Sequence, residues 1–466
     1  MKTQVIKSNS VNTNSNRFDA GFHLSEGVSV KRTISNSPYE LVTIGSATER
    51  IFYGLRANRK YVTNIEHAIP FLTGSSILQN DFKNIKYVSK KYTPGISEMT
   101  LQKDWILITR SGTVGQIAYS NDLFTGKYGS EDIIRVVPNG KINGGVIYAY
   151  LASKQGQCLL TQGTFGAVVQ HIEPNQISSI EIPLFPKEFQ DKVSRLITDS
   201  ARLREEASKE LNEAEALFFR ANNIVINNEL LDREECKTSL CRIIKKSEIK
   251  SSSFKALNYS TRASILRKIL AEKKHVLLAN FLEKPFYMGA RASFKRIDQD
   301  KNGESIISQS DIHRRNPKNL KKVFIKQESE DARARRKTLI MPSAGTLGEN
   351  EVFTRPLLIR SNYEGKLLSE VIGIFECKTE FDAAYLQVFL SSKVGFRLLR
   401  TMACGTNLMY PMWTFLKDIP VPLCDKESYE RIAGLVLSAY DKNGLSNSLE
   451  NEAIQIIEDE IEKWNK

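Results

Sequence analysis

The sequence predicts an α+β chain made of two repeated mixed α/β domains separated by long coiled-coil-like helices. Three observations lead there: a heptad seam in an uninterrupted helix, a set of sequence blocks that occurs twice, and a division of charge between helices and bodies. Lys187 to about Glu235 contains no proline and no glycine, and Pro183 and Pro186 stand just before it. Small or apolar residues recur at Val193, Ile197, Ser200, Ala207, Leu211, Ala214, Phe218, Ala221 and Val225. Steps of four and three alternate along this series, with Arg204 the one interruption, which is the pattern of a heptad seam. Such a helix would be roughly 60–70 Å long at ~1.5 Å per residue. Its single narrow apolar stripe requires a partner helix.

The two halves of the chain are copies. Ile106-Leu-Ile-Thr-Arg-Ser-Gly-Thr-Val-Gly115 aligns without a gap on Leu339-Ile-Met-Pro-Ser-Ala-Gly-Thr-Leu-Gly348. Tyr150-Leu-Ala-Ser-Lys-Gln-Gly156 aligns on Phe389-Leu-Ser-Ser-Lys-Val-Gly395, and Ile180-Glu-Ile-Pro-Leu184 on Ile419-Pro-Val-Pro-Leu423. Weaker matches join Gly54-Leu-Arg-Ala57 to Gly289-Ala-Arg-Ala292, and Phe18 and Ala20 to Phe254 and Ala256. Conserved ends around unequal middles suit related domains that share a frame and read different targets.

In chain order, residues 1–16 are polar and Asn/Ser-rich and are expected to be a flexible leader. A first domain follows over 17–185. It shows short β-like runs at Glu40–Ile44, Ile51–Tyr53, Tyr61–Thr63, Trp105–Thr109 and Ile133–Val137, then a helical patch at Gly145–Leu160. The central helix spans 186–235 and a connector 236–252. The second domain covers 253–424, and a second helical region, 425–466, closes the chain. Asn443-Gly444 is a turn dipeptide, so this last region is expected to break at Asp441–Gly444.

Charge is divided along the same lines. The chain is +13 with a pI near 9.2. Lys187 to Glu235 carries 8 Lys/Arg and 12 Asp/Glu, a net −4; Asp425 to Lys466 carries 5 and 10, a net −5. The remainder therefore holds +22, and acidic helices separate basic bodies. That balance favours a polyanionic partner, most simply nucleic acid. No run of 18 apolar residues is present, which argues against a membrane partner. Six scattered cysteines without a CxxC pair point to reduced thiols in a cytoplasmic protein.

Catalytic chemistry leaves little trace. The chain has no GxGxxG after a strand, no GxxxxGK[ST] loop and no Asn/Asp-Pro-Pro-aromatic motif; Asn316-Pro317-Lys318 lacks the second proline. Five histidines have no paired spacing, and Glu188, Asp191 and Lys192 read as solvated helix charges. No catalytic residue, metal ligand or cofactor site is therefore expected in this chain. Gly112-Thr-Val-Gly115 and Gly345-Thr-Leu-Gly348 are open to two readings, a phosphate-cradling turn or a tight hairpin turn. The flanks Thr109, Arg110 and Ser111 are candidate DNA contacts, as is Ser343 at the matching place in the second copy. Basic clusters supply candidates for backbone contact: Arg56, Arg59, Lys60, Lys83, Lys86, Lys90 and Lys91 in the first copy. In the second, Pro285 to Lys337 holds 14 Lys/Arg against 7 Asp/Glu, among them Arg291, Lys295, Arg296, Arg314 and Arg315. On the seam, Ile197, Leu211, Phe218 and Val225 are the candidates for assembly.

The doubled frame of Leu-Ile-Thr-Arg-Ser-Gly-Thr-Val-Gly, Tyr-Leu-x-Ser-x-x-Gly and Ile-x-Ile-Pro-Leu, each copy leading into a helix, resembles the specificity subunit of type I restriction–modification systems. Arg17-Phe18-Asp19-Ala20 and Ile69-Pro-Phe-Leu-x-Gly-x-Ser-Ile77 resemble that family's target recognition domain. The second copy departs from the pattern at Lys255, at Met341-Pro342 and at Cys404-Gly405-Thr406, which stands where the first has Phe165-Gly166-Ala167. The resemblance implies two target recognition domains, each reading half of a split double-stranded DNA site. It also implies helices paired antiparallel as a spacer, and two docked methyltransferase subunits that carry S-adenosylmethionine and the adenine-methylating chemistry. A restriction/translocase subunit is a further partner of such complexes. Two other readings remain at this stage: a nuclease or methyltransferase with unrecognised motifs, and a nucleic-acid-binding scaffold of a related defence complex.

Overall fold

The computed structural model describes residues 23, 25–54, 56, 58–62, 65–83, 85–162, 171–231, 243–289, 293–297, 303–318, 320–327 and 332–465. The expected leader, Arg17-Phe18-Asp19-Ala20, Phe165-Gly166-Ala167, Cys236 and Cys241 lie outside them. The chain divides into two compact units, residues 1–205 with 445–466 and residues 206–444. Each unit thus contains part of both long helices, where the sequence suggested divisions at the helix starts.

The first unit runs α1 (Glu26–Ser35), β1 (Leu41–Thr43), β2 (Thr48–Phe52), β3 (Ala68–Leu72), β4 (Lys86–Ser89), β5 (Ile106–Thr109), β6 (Ile117–Tyr119), β7 (Tyr128–Gly129) and β8 (Ile133–Pro138). After these come α2 (Gly144–Ala152), α3 (Lys154–Gln162), β9 (Glu181–Pro183) and α4 (Lys187–Ala221). One sheet has the order β2-β8-β5-β6 and is antiparallel; a second has the order β4-β3-β7, with β3 and β7 parallel. β5 is apolar at three consecutive positions because it is covered on both faces. Ile106 and Ile108 enter the core under α2 with Val146, Ile147 and Tyr150, whereas Leu107 packs with Leu72, Ile77, Leu101 and Ile133. Beside it on β8, Arg135 is fully buried and donates to the carbonyls of Ser130, Gly129, Ile133 and Met99. Burial pushes its guanidinium down to about 10. These bonds fix the turn that presents Glu131 and Asp132.

The expected single helical patch is two helices that meet at Ser153. The Ser153 hydroxyl donates to the Tyr150 carbonyl at 2.6 Å and accepts the Gly156 N–H at 3.1 Å. A Cβ at Gly156 would sit 2.0 Å from the Tyr150 carbonyl oxygen, so only glycine lets the two helices meet this closely. In the second copy Ser392 donates to Phe389 at 2.6 Å and accepts from Gly395 at 3.2 Å, and a Cβ at Gly395 would lie 2.4 Å from the Phe389 oxygen. The Tyr-Leu-x-Ser-x-x-Gly block is therefore a helix–helix corner.

The second unit contains α5 (Thr261–Ala271), β10 (His275–Leu277), β11 (Tyr287–Met288), β12 (Ser293–Ile297), β13 (Glu304–Ile307), β14 (Lys321–Gln327), β15 (Thr338–Pro342), β16 (Leu357–Leu358), β17 (Leu367–Leu368) and β18 (Ile372–Glu376). Then follow α6 (Glu380–Ser391), α7 (Lys393–Thr401), β19 (Ala403–Gly405), β20 (Met409–Pro411), β21 (Pro420–Pro422) and α8 (Lys426–Glu462). Its sheets β11-β18-β15-β16, β12-β14-β13-β17 and β10-β21 repeat those of the first unit, with β12 added among the described residues; it also contains a β19–β20 hairpin, whose counterpart in the first copy, 163–170, lies outside them. Registers repeat as well. Phe71 pairs with Lys86 and Tyr128 in one copy, Ile306 with Lys321 and Leu367 in the other. The Ile-x-Ile-Pro-Leu blocks are β9 and β21, and each is followed by an equivalent bond, Leu184 N–H to Glu40 O and Leu423 N–H to Lys274 O, both 2.8 Å.

The long helices pair antiparallel within each unit. In the first, Val193, Ile197 and Ala201 share a core with Ala453, Ile454, Ile457 and Ile461. In the second, Ala214, Leu217 and Phe218 share one with Ile432, Ala433 and Val436, and Glu210 and Glu213 meet Lys442 and Arg431. Arg204, the apparent interruption, lies inside the seam: it is 6% exposed, pairs with Glu450 at 2.8 Å and donates to Asn447 and Ser200.

Two expectations about these helices are corrected. α4 ends at Ala221, fourteen residues before Glu235. Asn223 adopts φ +51, its N–H reaches Arg220 O and the Ile224 N–H reaches Phe219 O, a Schellman ending closed by burial of Ile224. α8 does not break at Asp441–Gly444. A Cβ at Gly444 would meet Ser361 Oγ at 2.7 Å, so this glycine serves a close approach rather than a turn. None of the described helices is long and apolar enough to cross a membrane.

Candidate nucleic-acid interface

In the first unit, chain 60–62 runs along β4 through Ser89 N–H to Lys60 O at 2.9 Å, Val62 N–H to Tyr87 O at 3.1 Å and a bridge between Tyr61 and Val88. This places exposed aromatic rings among exposed cations. Tyr61 and Tyr92 are 49% and 55% exposed. The Lys60 ammonium lies 4.5 Å and that of Lys91 5.4 Å from the Tyr92 ring centre, and that of Lys86 5.0 Å from Tyr61. Cation–π contacts at exposed sites hold such groups with only about 0.5–1 kcal/mol, so the charges stay available. Arg56 and Lys90 are exposed too. Cations for phosphates interleaved with ring faces for sugars and bases make a surface suited to nucleic acid.

Other candidates of the first copy are engaged within the chain. Arg59 ion-pairs with Glu131 and lies 4.8 Å over Phe71. Thr109 is not a DNA contact: it is fully buried, its hydroxyl donates to Thr113 O and accepts the Gln116 N–H at 2.9 Å. Those bonds close the β5–β6 hairpin, so the Gly112–Gly115 segment is the hairpin turn. Gly112 and Gly115 take φ of +76 and +80 there. Arg110 pairs with Glu173 at 2.5 Å and stands 4.2 Å over Tyr53, and Ser111 donates to Asp132 at 2.6 Å.

In the second copy Ser343 is also buried, donating to Met341 O at 2.9 Å, which removes it as a contact. Arg315 is 8% exposed and Arg314 turns back to Ser310 O and Asp311. Much of the basic run is neutralised locally: Arg333 by Glu304, Arg336 by Glu364 and Lys337 by Glu283. Lys295 and Arg296 lie on β12, while Arg291 is outside the described residues.

Three of the four seam residues pack in the chain's own cores. Ile197 and Phe218 are buried, Leu211 packs beside the second core, and Val225 lies beyond the helix, 90% exposed. Among the described residues no group of three or more His, Cys, Asp or Glu could hold a metal ion. What the sequence reading missed is the aromatic component, although Lys60-Tyr61, Lys86-Tyr87 and Lys91-Tyr92 repeat a visible Lys-Tyr dipeptide.

Residues 40–216 match the model of the type I restriction modification DNA specificity domain. Over those residues the chain is similar to that specificity domain. The matched specificity domain takes in the strands of the first unit and most of α4, and the second unit repeats its topology. Among solved structures, the chain is similar to the type I restriction–modification S subunit from M. genitalium: 11% identity, TM-score 0.35, covering 92% of this chain and 96% of that one. It is similar also to the HsdS subunit from Thermoanaerobacter tengcongensis, with 12% identity and a TM-score of 0.27, over 91% and 96% of the two chains. No curated protein matches the chain.

Proposed function

We propose that the chain is the sequence-recognition subunit of a type I restriction–modification complex, reading a bipartite double-stranded DNA site with one half-site per unit. The observation that carries this reading is the repeated frame: two units share sheets, registers and corners, yet differ in the charged edge beside β4 and β14. A shared frame with unlike edges suits two unlike half-sites. The subunit would dock two methyltransferase subunits, which bind S-adenosylmethionine and perform adenine methylation, and a restriction/translocase subunit would join them. The paired helices α4 and α8 would act as the spacer, and the exposed lysines of each unit would supply the salt-dependent part of the affinity.

The test is genome-wide adenine methylation in the native host, with and without this chain. A split motif with a fixed gap that disappears on deletion is expected. Methylation unchanged by deletion, in a host where the methyltransferase partner is active, would overturn the reading.

A further inference from the structure

Among the described residues the two copies differ at the outer edge of their second sheets. Val88 of β4 has Ile69 on one side and Tyr61 on the other; Val323 of β14 has Glu304 on one side and Arg296 on the other. Chain 60–62 and β12 are therefore equivalent positions. In the first unit this outermost chain makes a single bridge, whereas in the second it is a strand paired over Ser293–Ile297. Among the described residues β13 pairs with Lys321–Val323, and beyond Val323 β14 is paired with β12 alone, as a two-stranded ribbon. A register shift between Ser293 and Phe294 adds local twist.

That ribbon is basic throughout. β12 and β14 contain Lys295, Arg296, Lys321, Lys322 and Lys326, and no acidic residue. Edge lysines by themselves also keep strands from pairing with other chains. They do not account for Phe324, which is 55% exposed next to the fully buried Val323, with Lys295 opposite it in the ladder and Lys322 two places before it. An unburied phenyl group on a ribbon whose two strands hold cations and no acidic residue matches a polyanion that also presents apolar groups. B-DNA does so in the major groove, where each thymine shows a methyl group and the ~12 Å width admits a two-stranded ribbon. The minor groove, ~6 Å wide and without methyl groups, fits neither feature.

Building on the proposed DNA-reading role, we infer that the β12–β14 ribbon enters the major groove of the second half-site, with Phe324 against a thymine methyl and Lys322 at the flanking phosphate. The experiment compares chromosomal Phe324→Ala and Lys322→Ala variants with the wild type in the native host. Methylated motifs are sequenced, then binding of the assembled complex is measured on the wild-type motif with deoxyuridine replacing each thymidine in turn. Phe324→Ala is expected to relax one A·T position of a single half-site while the other half-site stays intact. For the wild type, deoxyuridine at that position weakens binding about three- to fivefold, the loss of one buried methyl, and the variant is indifferent to it. Lys322→Ala weakens binding to every sequence and leaves the motif unchanged. An unaltered motif in Phe324→Ala, or no deoxyuridine effect in the wild type, overturns the ribbon assignment while the specificity-subunit reading stands. A wild type that yields no split motif overturns both.

Discussion

Thr109 and the exposed lysines show how residue-scale chemistry separates scaffold from contact surface. Thr109→Val keeps the volume of the side chain but removes the hydroxyl that bridges Gln116 N–H and Thr113 O, leaving them only their own long bond of 3.4 Å. A loss of about 1–3 kcal/mol is expected, read by denaturant unfolding. DNA affinity measured well below the transition should not change; a stable variant with weakened binding would show that the hydroxyl meets DNA after all. Lys60→Ala with Lys91→Ala should do the reverse, leaving stability within about 0.5 kcal/mol. The slope of log affinity against log salt should become shallower by about 2, one unit for each lost phosphate contact. An unchanged salt slope would remove the Tyr92 platform from the interface. Sequence alone could not sort these residues. A threonine at a strand end reads the same whether its hydroxyl closes a turn or meets a base, and Ser343 misleads for the same reason. The lysines, by contrast, were legible, because charge is a property of composition; the tyrosines beside them were missed, because a ring in a Lys-Tyr pair reads the same whether buried or exposed.

For the helical elements, the heptad period was legible because a narrow apolar stripe has no other use, and the cores around Ile197 and Phe218 follow it. The ends were not. Asn222 and Asn223 have ordinary helix propensity, and it is burial of Ile224 that favours a Schellman ending over another turn. Gly444 reads as a breaker until Ser361 is known to press against it. Gly444→Ala should destabilise, since the gain of about 1 kcal/mol in helix propensity is offset by collision with Ser361. The double variant Gly444→Ala/Ser361→Gly should exceed the wild type in melting temperature, because Ser361 also sits at φ +38. A melting temperature for the double variant no higher than that of Gly444→Ala would rule out this contact. Arg204 makes the same point about polar groups. Removing either partner of the buried Arg204–Glu450 pair should cost about 3–5 kcal/mol, whereas Arg204→Leu with Glu450→Leu should be near neutral. Equal losses in the single and double variants would mean that the pair itself, and not the stranded charge, stabilises the seam.

At the scale of the whole molecule, the repeat and the course of the two helices make a joint prediction. α4 passes from the first unit to the second near Glu205–Glu206, and α8 returns near Gly444–Leu445. On either side of these points the helices pair antiparallel, Arg204 with Glu450 and Glu210 with Lys442. Insertion of seven residues between Glu205 and Glu206 alone adds about 10 Å to one helix and none to the other. That sets the seam of one unit against the wrong stretch of α8, and methylation should be abolished. Matched insertions, one heptad at each point, restore the facing of the seams because seven residues return nearly to the same helix face. The proposed complex should then methylate the same two half-sites with the gap widened by about 3 base pairs, at ~3.4 Å per pair. Sequencing of methylated motifs reads both quantities at once. Unaltered half-sites with a longer gap would assign sequence to the units and spacing to the helices. An active matched variant whose gap does not grow would mean that something other than helix length sets the spacing, and the spacer role of α4 and α8 would fall.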